Sequence, residues 1–222
     1  MAAEQILLIL IPAAYFIGAI PFGLIVGKMR GIDVRTAGSG NIGATNVGRL
    51  LGKKFFFLVF FLDMLKSFVP MLVASIIVHR TPLGERDRAM YLLWLLVGFV
   101  AVLGHMFSIF LRFKGGKGVA TSAGMMLGLV PYYTYPGLIG IGIFLVAVML
   151  TRYISVGSLA GAASFPMLYA LMCYLRGWPM LREQLPLLIF AMIMALLIIW
   201  KHRGNIARLM AGTENRLGSR GA

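Results

Sequence analysis

The chain has one cysteine, three histidines and seven acidic residues in 222 positions, and each shortage closes a route. Cys173 has no partner for an intrachain disulfide and lies in an apolar run, so it reads as packing and says nothing about redox compartment. His79, His105 and His202 show no paired ligand spacing and the carboxylates are scattered, so neither a metal nor another cofactor is expected. Charge is scarce as well: 13% charged against 60% hydrophobic residues would leave mostly apolar surface in water, which makes lipid the solvent. The first four residues carry no basic region and the apolar run after them is too long for a cleaved leader, so it is read as a retained helix. No repeat at a fixed period and no matching halves are visible.

What is present is a strong positive balance, +14, placed in short blocks between apolar runs. Those blocks lack interleaved aromatic platforms, so nucleic acid is not expected, and anionic lipid or anionic substrates fit better. The apolar runs predict an all-α, polytopic membrane protein with seven spans: 5–27, 55–78, 90–111, 119–131, 137–150, 154–175 and 185–200. Pro12 and Pro21 should kink the first, and the fourth and fifth, joined at 132–136, are each shorter than a bilayer requires. Small residues in the sixth, including Gly157, Gly161 and Ala162, point to close helix contact. Lys and Arg concentrate in 28–54, 112–117, Arg152 and 201–220, whereas the opposite connections hold only Arg80, Arg86, Arg88, Arg176 and Arg182. The bias puts the N-terminus outside and the C-terminus in the cytoplasm, and removing two crossings would leave that assignment unchanged.

Two charges fall within the second span. Asp63 and Lys66 are three apart on one helical face and can pair, which lowers the cost of burial; alternatively Lys66 faces a polar cleft.

Three basic, polar segments share the predicted cytoplasmic side. The first, 38–49, holds Ser39, Gly40, Asn41, Thr45, Asn46 and Arg49 inside a connection far longer than a turn needs, which favours a binding loop over a plain one. The second, 104–121, holds His105, Lys114, Gly115, Gly116 and Lys117. Its glycines and lysines suit phosphate, yet Leu111 stands where a P-loop needs glycine and Gly118 follows Lys117, so the mononucleotide motif is absent. A membrane-exit loop whose lysines only set orientation, and a packing role for His105, are the plainer readings. The third, 202–215, holds His202, Arg203, Asn205, Arg208 and Glu214, with Ile206, Leu209 and Met210 spaced for a short amphipathic helix.

Taken in order, these segments resemble the bacterial membrane glycerol-3-phosphate acyltransferases that use acyl phosphate as donor, the PlsY family. The resemblance rests on Gly38-Ser39-Gly40-Asn41 with Thr45-Asn46 and Arg49, on Gly104-His105-Met106 with Phe113 through Thr121, and on His202-Arg203, Asn205-Ile206, Arg208-Leu209 and Gly212 through Asn215. It runs over nearly the whole chain, and the departures, a longer tail and added residues at 81–88, touch no motif. The resemblance implies one integral membrane domain over 1–222 in the bacterial inner membrane, with its site on the cytoplasmic side. It implies acyl transfer to the 1-hydroxyl of glycerol 3-phosphate, giving lysophosphatidic acid and phosphate, the first step of phospholipid synthesis; a monomer suffices.

The residue chemistry is compatible. One common acyltransferase class pairs His with Asp five positions later, but Gly84, Phe110 and Ala207 occupy those places here. An acyl phosphate is already activated, so handling anionic charge dominates. On this expectation Ser39 hydrogen-bonds the glycerol hydroxyl, Lys117 holds phosphate, and His202 orients or acts as general base, unless the acceptor's own phosphate takes the proton. Gly40, Asn41, Thr45, Asn46, Arg49, His105, Lys114, Gly115, Gly116, Arg203, Asn205, Arg208 and Glu214 are the expected substrate-binding residues, with the Gly115-Gly116 backbone approaching a phosphoryl oxygen. A transporter of a phosphorylated metabolite is the competing class, opposed by the missing repeat.

Overall fold

The computed structural model describes residues 2–182 and 184–217. Arg220, counted above among the basic residues of the C-terminal segment, lies outside them. Among the described residues regular structure is entirely helical. The chain divides into two compact units, Met1–Leu129 and Val130–Ala222.

The first unit contains α1 (Ala3–Ala19), α2 (Phe22–Met29), α3 (Ala44–Leu51), α4 (Lys53–Arg80), α5 (Arg88–Met106) and α6 (Val119–Gly128). Helix α1 runs through Pro12 but ends before Pro21, which has no N–H to continue the ladder. Of the two expected kinks, one is therefore a break. Helix α4 spans 28 residues, about 42 Å at 1.5 Å per residue, and includes Pro70.

Close approach, rather than apolar bulk, sets the packing, as expected where lipid is no less apolar than leucine. A Cβ on Gly18 would fall 2.1 Å from the Ala101 carbonyl oxygen, and one on Gly104 would fall 2.4 Å from that of Tyr15, so α1 and α5 touch through their backbones. Helix α6 meets α4 in the same way, with Gly124 against the Met64 carbonyl. Hydroxyls tie the helices together: Ser67 donates to the Thr121 carbonyl, Ser75 to that of Gly128 at 2.5 Å, and Trp94 Nε1 donates to Ser75 Oγ at 3.0 Å.

The second unit contains α7 (Thr134–Thr151), α8 (Ile154–Arg176), α9 (Leu185–Lys201) and α10 (Arg203–Met210). The small residues of α8 pack as expected, Gly157 against Val148 and Phe144 and Gly161 against the Gly140 carbonyl. Tyr133 donates to the Leu187 carbonyl, and Tyr169 to Gln184 Oε1 at 3.1 Å. The amphipathic helix expected around Ile206 is α10, at a 54° bend from α9.

Several expected boundaries move. The connection 28–54 is not one long loop, because α3 forms within it and buries Val47. Helix α5 stops at Met106; Ile109–Leu111 is a separate 3-10 turn that hydropathy alone joins to it. Helix α7 begins at Thr134 and takes Pro136 into its first turn, where a missing N–H costs nothing, so the joint between the fourth and fifth runs lies earlier than 132–136. Among the described residues five helical stretches are long and apolar enough to cross a membrane, or six if the bent α9–α10 pair counts as one. Helix α6, with 10 residues, rises about 15 Å, half a hydrocarbon core.

Candidate functional site

In the first unit the 38–49 segment is wound around one side chain. Asn46, 1% exposed in the first turn of α3, accepts the Ser39 N–H on Oδ1 at 2.8 Å. Its Nδ2 donates to the carbonyls of Val34, Ala37 and Asn41 at 2.9, 3.1 and 2.9 Å. Asn41 Oδ1 in turn accepts the Gly43 N–H at 2.8 Å. Gly38 and Gly40 take left-handed backbone, φ 60° and 68°, which the tight loop requires. The result is a rigid loop with Ser39 on its exposed side, Thr45 half-buried and Arg49 exposed on α3. Asn46 is thus the loop's internal framework, whereas the sequence reading placed it among substrate contacts.

The 104–121 segment folds back onto the end of α5. Helix ends leave carbonyls without partners, and here the loop supplies them: Gly115 N–H donates to Met106 O at 3.2 Å and Gly116 N–H to His105 O at 3.1 Å. Both N–H groups are therefore engaged by the end of α5 in this structure. Both glycines also serve close packing, since a Cβ on Gly115 would fall 2.0 Å from the His105 carbonyl oxygen and one on Gly116 2.2 Å from His105 Nε2. Phe113 N–H donates to Ser108 O at 2.8 Å, and Ser108 Oγ donates to Ala19 O at 2.6 Å. Arg112 and Phe113 both adopt left-handed backbone, φ 49° and 62°, at a cost of roughly 1–2 kcal/mol each for residues with a Cβ. That strain turns the chain sharply and presents Arg112 and Lys114 outward.

His105 lies 4% exposed, 3.6 Å through Nδ1 from Asp63 Oδ1, while Asp63 pairs with Lys66 at 2.7 Å. The pairing of Asp63 and Lys66 matches the sequence reading; the approach of His105, forty-two residues on from Asp63, is new.

A cavity of about 340 Å³ opens between Arg35, in the connection after α2, and the 104–121 segment, which contributes Phe110, Leu111, Arg112 and Lys114 to its lining. Three cations beside two apolar side chains suit an amphiphile with an anionic head. Of the three cations, sequence alone marks only Lys114 as a site residue; Arg35 and Arg112 carry no sequence signal beyond their charge. Arg35 is braced by Asp33 through Nε at 2.9 Å and Nη2 at 2.5 Å, and these bonds hold the Asp33 carboxyl well below the usual carboxylate range. Lys117 is half-buried between Gly116 and Gly118.

In the second unit His202 sits at the α9–α10 bend, 2% exposed, with Nδ1 2.7 Å from the Ile198 carbonyl oxygen. An Nδ1–H donor there fixes the tautomer in which Nε2 carries the lone pair, the arrangement a general base requires. Arg203 stacks over Trp200 at 4.7 Å. Glu214 accepts from Asn205 Nδ2 at 2.6 Å and from Arg208 Nε at 2.7 Å. Burial raises the Glu214 pKa, but the bonds from Asn205 and Arg208 outweigh it and the net shift is downward. Glu214 thus fastens the chain after α10 to Asn205 and Arg208. Farther on, Leu217 N–H donates to Arg152 O at 2.7 Å and Arg216 Nε to Tyr153 OH at 2.9 Å. Among the described residues no three His, Cys, Asp or Glu side chains are grouped to hold a metal.

Long apolar helices whose ends carry glycine-rich, cationic segments define a multi-pass membrane protein that handles anionic ligands. The model of the family described as glycerol-3-phosphate acyltransferase matches residues 8–212, and the chain belongs to that family. The glycerol-3-phosphate acyltransferase of Chlorobaculum parvum is 43% identical over 225 residues, 95% of this chain and 96% of the relative. That of Desulfotalea psychrophila is 46% identical over 201 residues, 90% and 93% of the two chains. A crystal structure of PlsY, an integral membrane glycerol 3-phosphate acyltransferase in its glycerol 3-phosphate form, aligns with TM-score 0.79 and 39% identity over 96% of each chain. The lysophosphatidic acid form of PlsY aligns with TM-score 0.77 and 38% identity over the same shares.

Proposed function

We propose that this membrane acyltransferase moves a fatty acyl group from acyl phosphate to the 1-hydroxyl of sn-glycerol 3-phosphate. The observation that carries the reading is the full-length likeness to PlsY in forms named for glycerol 3-phosphate and for lysophosphatidic acid. The cavity walled by Arg35, Arg112, Lys114 and Phe110 supports it, since each ligand in such a transfer is anionic and the donor also carries an alkyl chain.

In this mechanism the glycerol oxygen attacks the acyl carbon, the new ester C–O bond forms, and the bond from acyl carbon to phosphate oxygen breaks. Phosphate leaves with the electron pair. Ser39, exposed on a loop fixed by Asn46, hydrogen-bonds the attacking hydroxyl. Lys117 holds the departing phosphate and stabilises its growing charge. His202 Nε2 orients the hydroxyl or accepts its proton; the acceptor's own phosphate is the other possible recipient. Gly40, Asn41, Thr45, Arg49, Lys114 and Arg203 complete the binding segments, while Asn46, His105, Gly115, Gly116, Asn205, Arg208 and Glu214 act by holding them in shape.

The reading includes a single domain with seven crossings, an external N-terminus and a cytoplasmic site in the bacterial inner membrane, acting as a monomer without cofactor. The Lys and Arg bias supports the orientation, and α6 with its flanking residues would supply the short crossing in a thinned or tilted arrangement. Purified protein given radiolabelled glycerol 3-phosphate and acyl phosphate tests it. Labelled lysophosphatidic acid is the expected product, whereas vesicle uptake of label without chemistry would replace the enzyme with a transporter.

A further inference from the structure

The charges buried in α4 and the glycines of the 104–121 segment belong to one chain of contacts. Asp63 Oδ1 faces Lys66 Nζ at 2.7 Å and His105 Nδ1 at 3.6 Å, and none of the three side chains is more than 4% exposed. Lys66 Nζ also donates to the Ile20 carbonyl at 3.0 Å, at the break between α1 and α2. On the other edge of the imidazole lies Gly116, where a Cβ would come within 2.2 Å of Nε2. The Gly116 N–H donates to the His105 carbonyl at 3.1 Å, and the next residue is Lys117. The ring is thus held between a carboxylate and the backbone that carries the lysine.

We infer that Asp63 is a positioning residue for the transfer reaction, acting through His105 to seat the Gly115-Gly116 backbone and so place Lys117. The inference rests on the acyltransferase reading and on Lys117 holding the donor phosphate. Lys66 pairs with Asp63 and, through the Ile20 carbonyl, fastens the pair to the end of α1. The contacts argue against a salt bridge serving stability alone. Such buried pairs are often replaced by apolar residues at little cost, whereas here one carboxylate oxygen also faces a ring on which the loop rests. A displacement near 1 Å in a group that contacts a reacting centre can cost about 100-fold.

The test uses the purified full-length enzyme and reads kcat, KM for each substrate, and melting temperature. Asp63→Asn alone leaves Lys66 buried without a counter-charge and risks misfolding, so the paired variant Asp63→Asn with Lys66→Met removes both charges together. That variant should stay folded while its KM for acyl phosphate rises about 10- to 100-fold, and its KM for glycerol 3-phosphate should change less than about twofold. Adding His105→Ala should cause little further loss, because the effect already passes through that ring. Gly116→Ala supplies a second route that leaves the helices intact: its Cβ displaces the loop, donor KM rises, and His105→Ala in the same chain restores part of it by making room.

A paired variant and a Gly116→Ala variant with wild-type donor KM overturn the inference, as do losses from Asp63 and His105 that multiply independently. A wild-type enzyme inactive with both substrates removes the acyltransferase reading, and the inference with it. Normal wild-type turnover with unaltered variant kinetics removes the inference alone.

Discussion

Asn46 Oδ1 holds the Ser39 backbone N–H at 2.8 Å, so the residue proposed to meet the attacking hydroxyl is fixed by a buried amide seven positions away. Replacing Asn46 by Ala leaves the Val34, Ala37 and Asn41 carbonyls without their shared donor. Loss of buried partners costs about 1–3 kcal/mol, so Asn46→Ala should lower both melting temperature and kcat. Ser39→Ala should lower kcat alone. A Ser39→Ala enzyme with wild-type kcat would remove that hydroxyl from the mechanism.

Lys117→Ala should abolish turnover while leaving the melting curve and gel-filtration profile of the detergent-solubilised protein unchanged. Wild-type rates in this variant would exclude Lys117 from phosphate handling.

The cavity residues make a separate prediction. A charge-assisted hydrogen bond contributes about 1.5–3 kcal/mol, so Arg112→Ala or Arg35→Ala should raise the KM for acyl phosphate by about 10- to 100-fold. The effect should shrink as ionic strength rises, because exposed charges are screened over about 8–10 Å. Unchanged kinetics in both variants would show that the cavity is not the donor's path.

Glu214 sets a pH limit on the segment after α10. Its pKa in the folded chain lies below the ordinary 4.5, with the lowering bonds from Asn205 and Arg208 outweighing burial. A depressed carboxylate stabilises the fold above its unfolded pKa, and that contribution is lost as pH falls through the folded value. Limited proteolysis near residues 211–217 should therefore accelerate below about pH 4.5 in the wild type, and Glu214→Gln should show the faster cleavage already at neutral pH. Equal cleavage of the two proteins at pH 7 would contradict the tie.

Packing glycines divide by what surrounds them. Gly104→Ala places a Cβ 2.4 Å from the Tyr15 carbonyl oxygen and should destabilise by about 1–3 kcal/mol or more. Gly142 on α7 has nothing within 4 Å of a built Cβ, so Gly142→Ala should leave the melting temperature equal or higher.

How much of this was legible beforehand depends on whether a feature is local. Apolar runs and the spacing of Asp63 and Lys66 are written into short stretches, and the helices follow them; Pro21 marks its place as well, though as a break between α1 and α2 where a kink is expected. Helix α3 was hidden because Thr45, Asn46 and Gly48 are poor helix formers; burial of Val47 and the hydrogen bonds of Asn46 accompany it instead. The end of α5 was hidden because Ile109, Phe110 and Leu111 remain apolar after the helix has stopped. Gly115 and Gly116 look like phosphate ligands in sequence, yet the carbonyls they serve are those of His105 and Met106. Arg35 and Arg112 gave no signal beyond charge, since the cavity they line joins segments more than seventy residues apart.

The central claim is the donor, and the most direct measurement is the stoichiometry of phosphate release. With purified enzyme, acyl phosphate and glycerol 3-phosphate, one phosphate should appear for each lysophosphatidic acid formed, with none above background when glycerol 3-phosphate is omitted and no product when acyl-CoA replaces acyl phosphate. Product formed from acyl-CoA at an equal rate, or phosphate released without the acceptor, would contradict it.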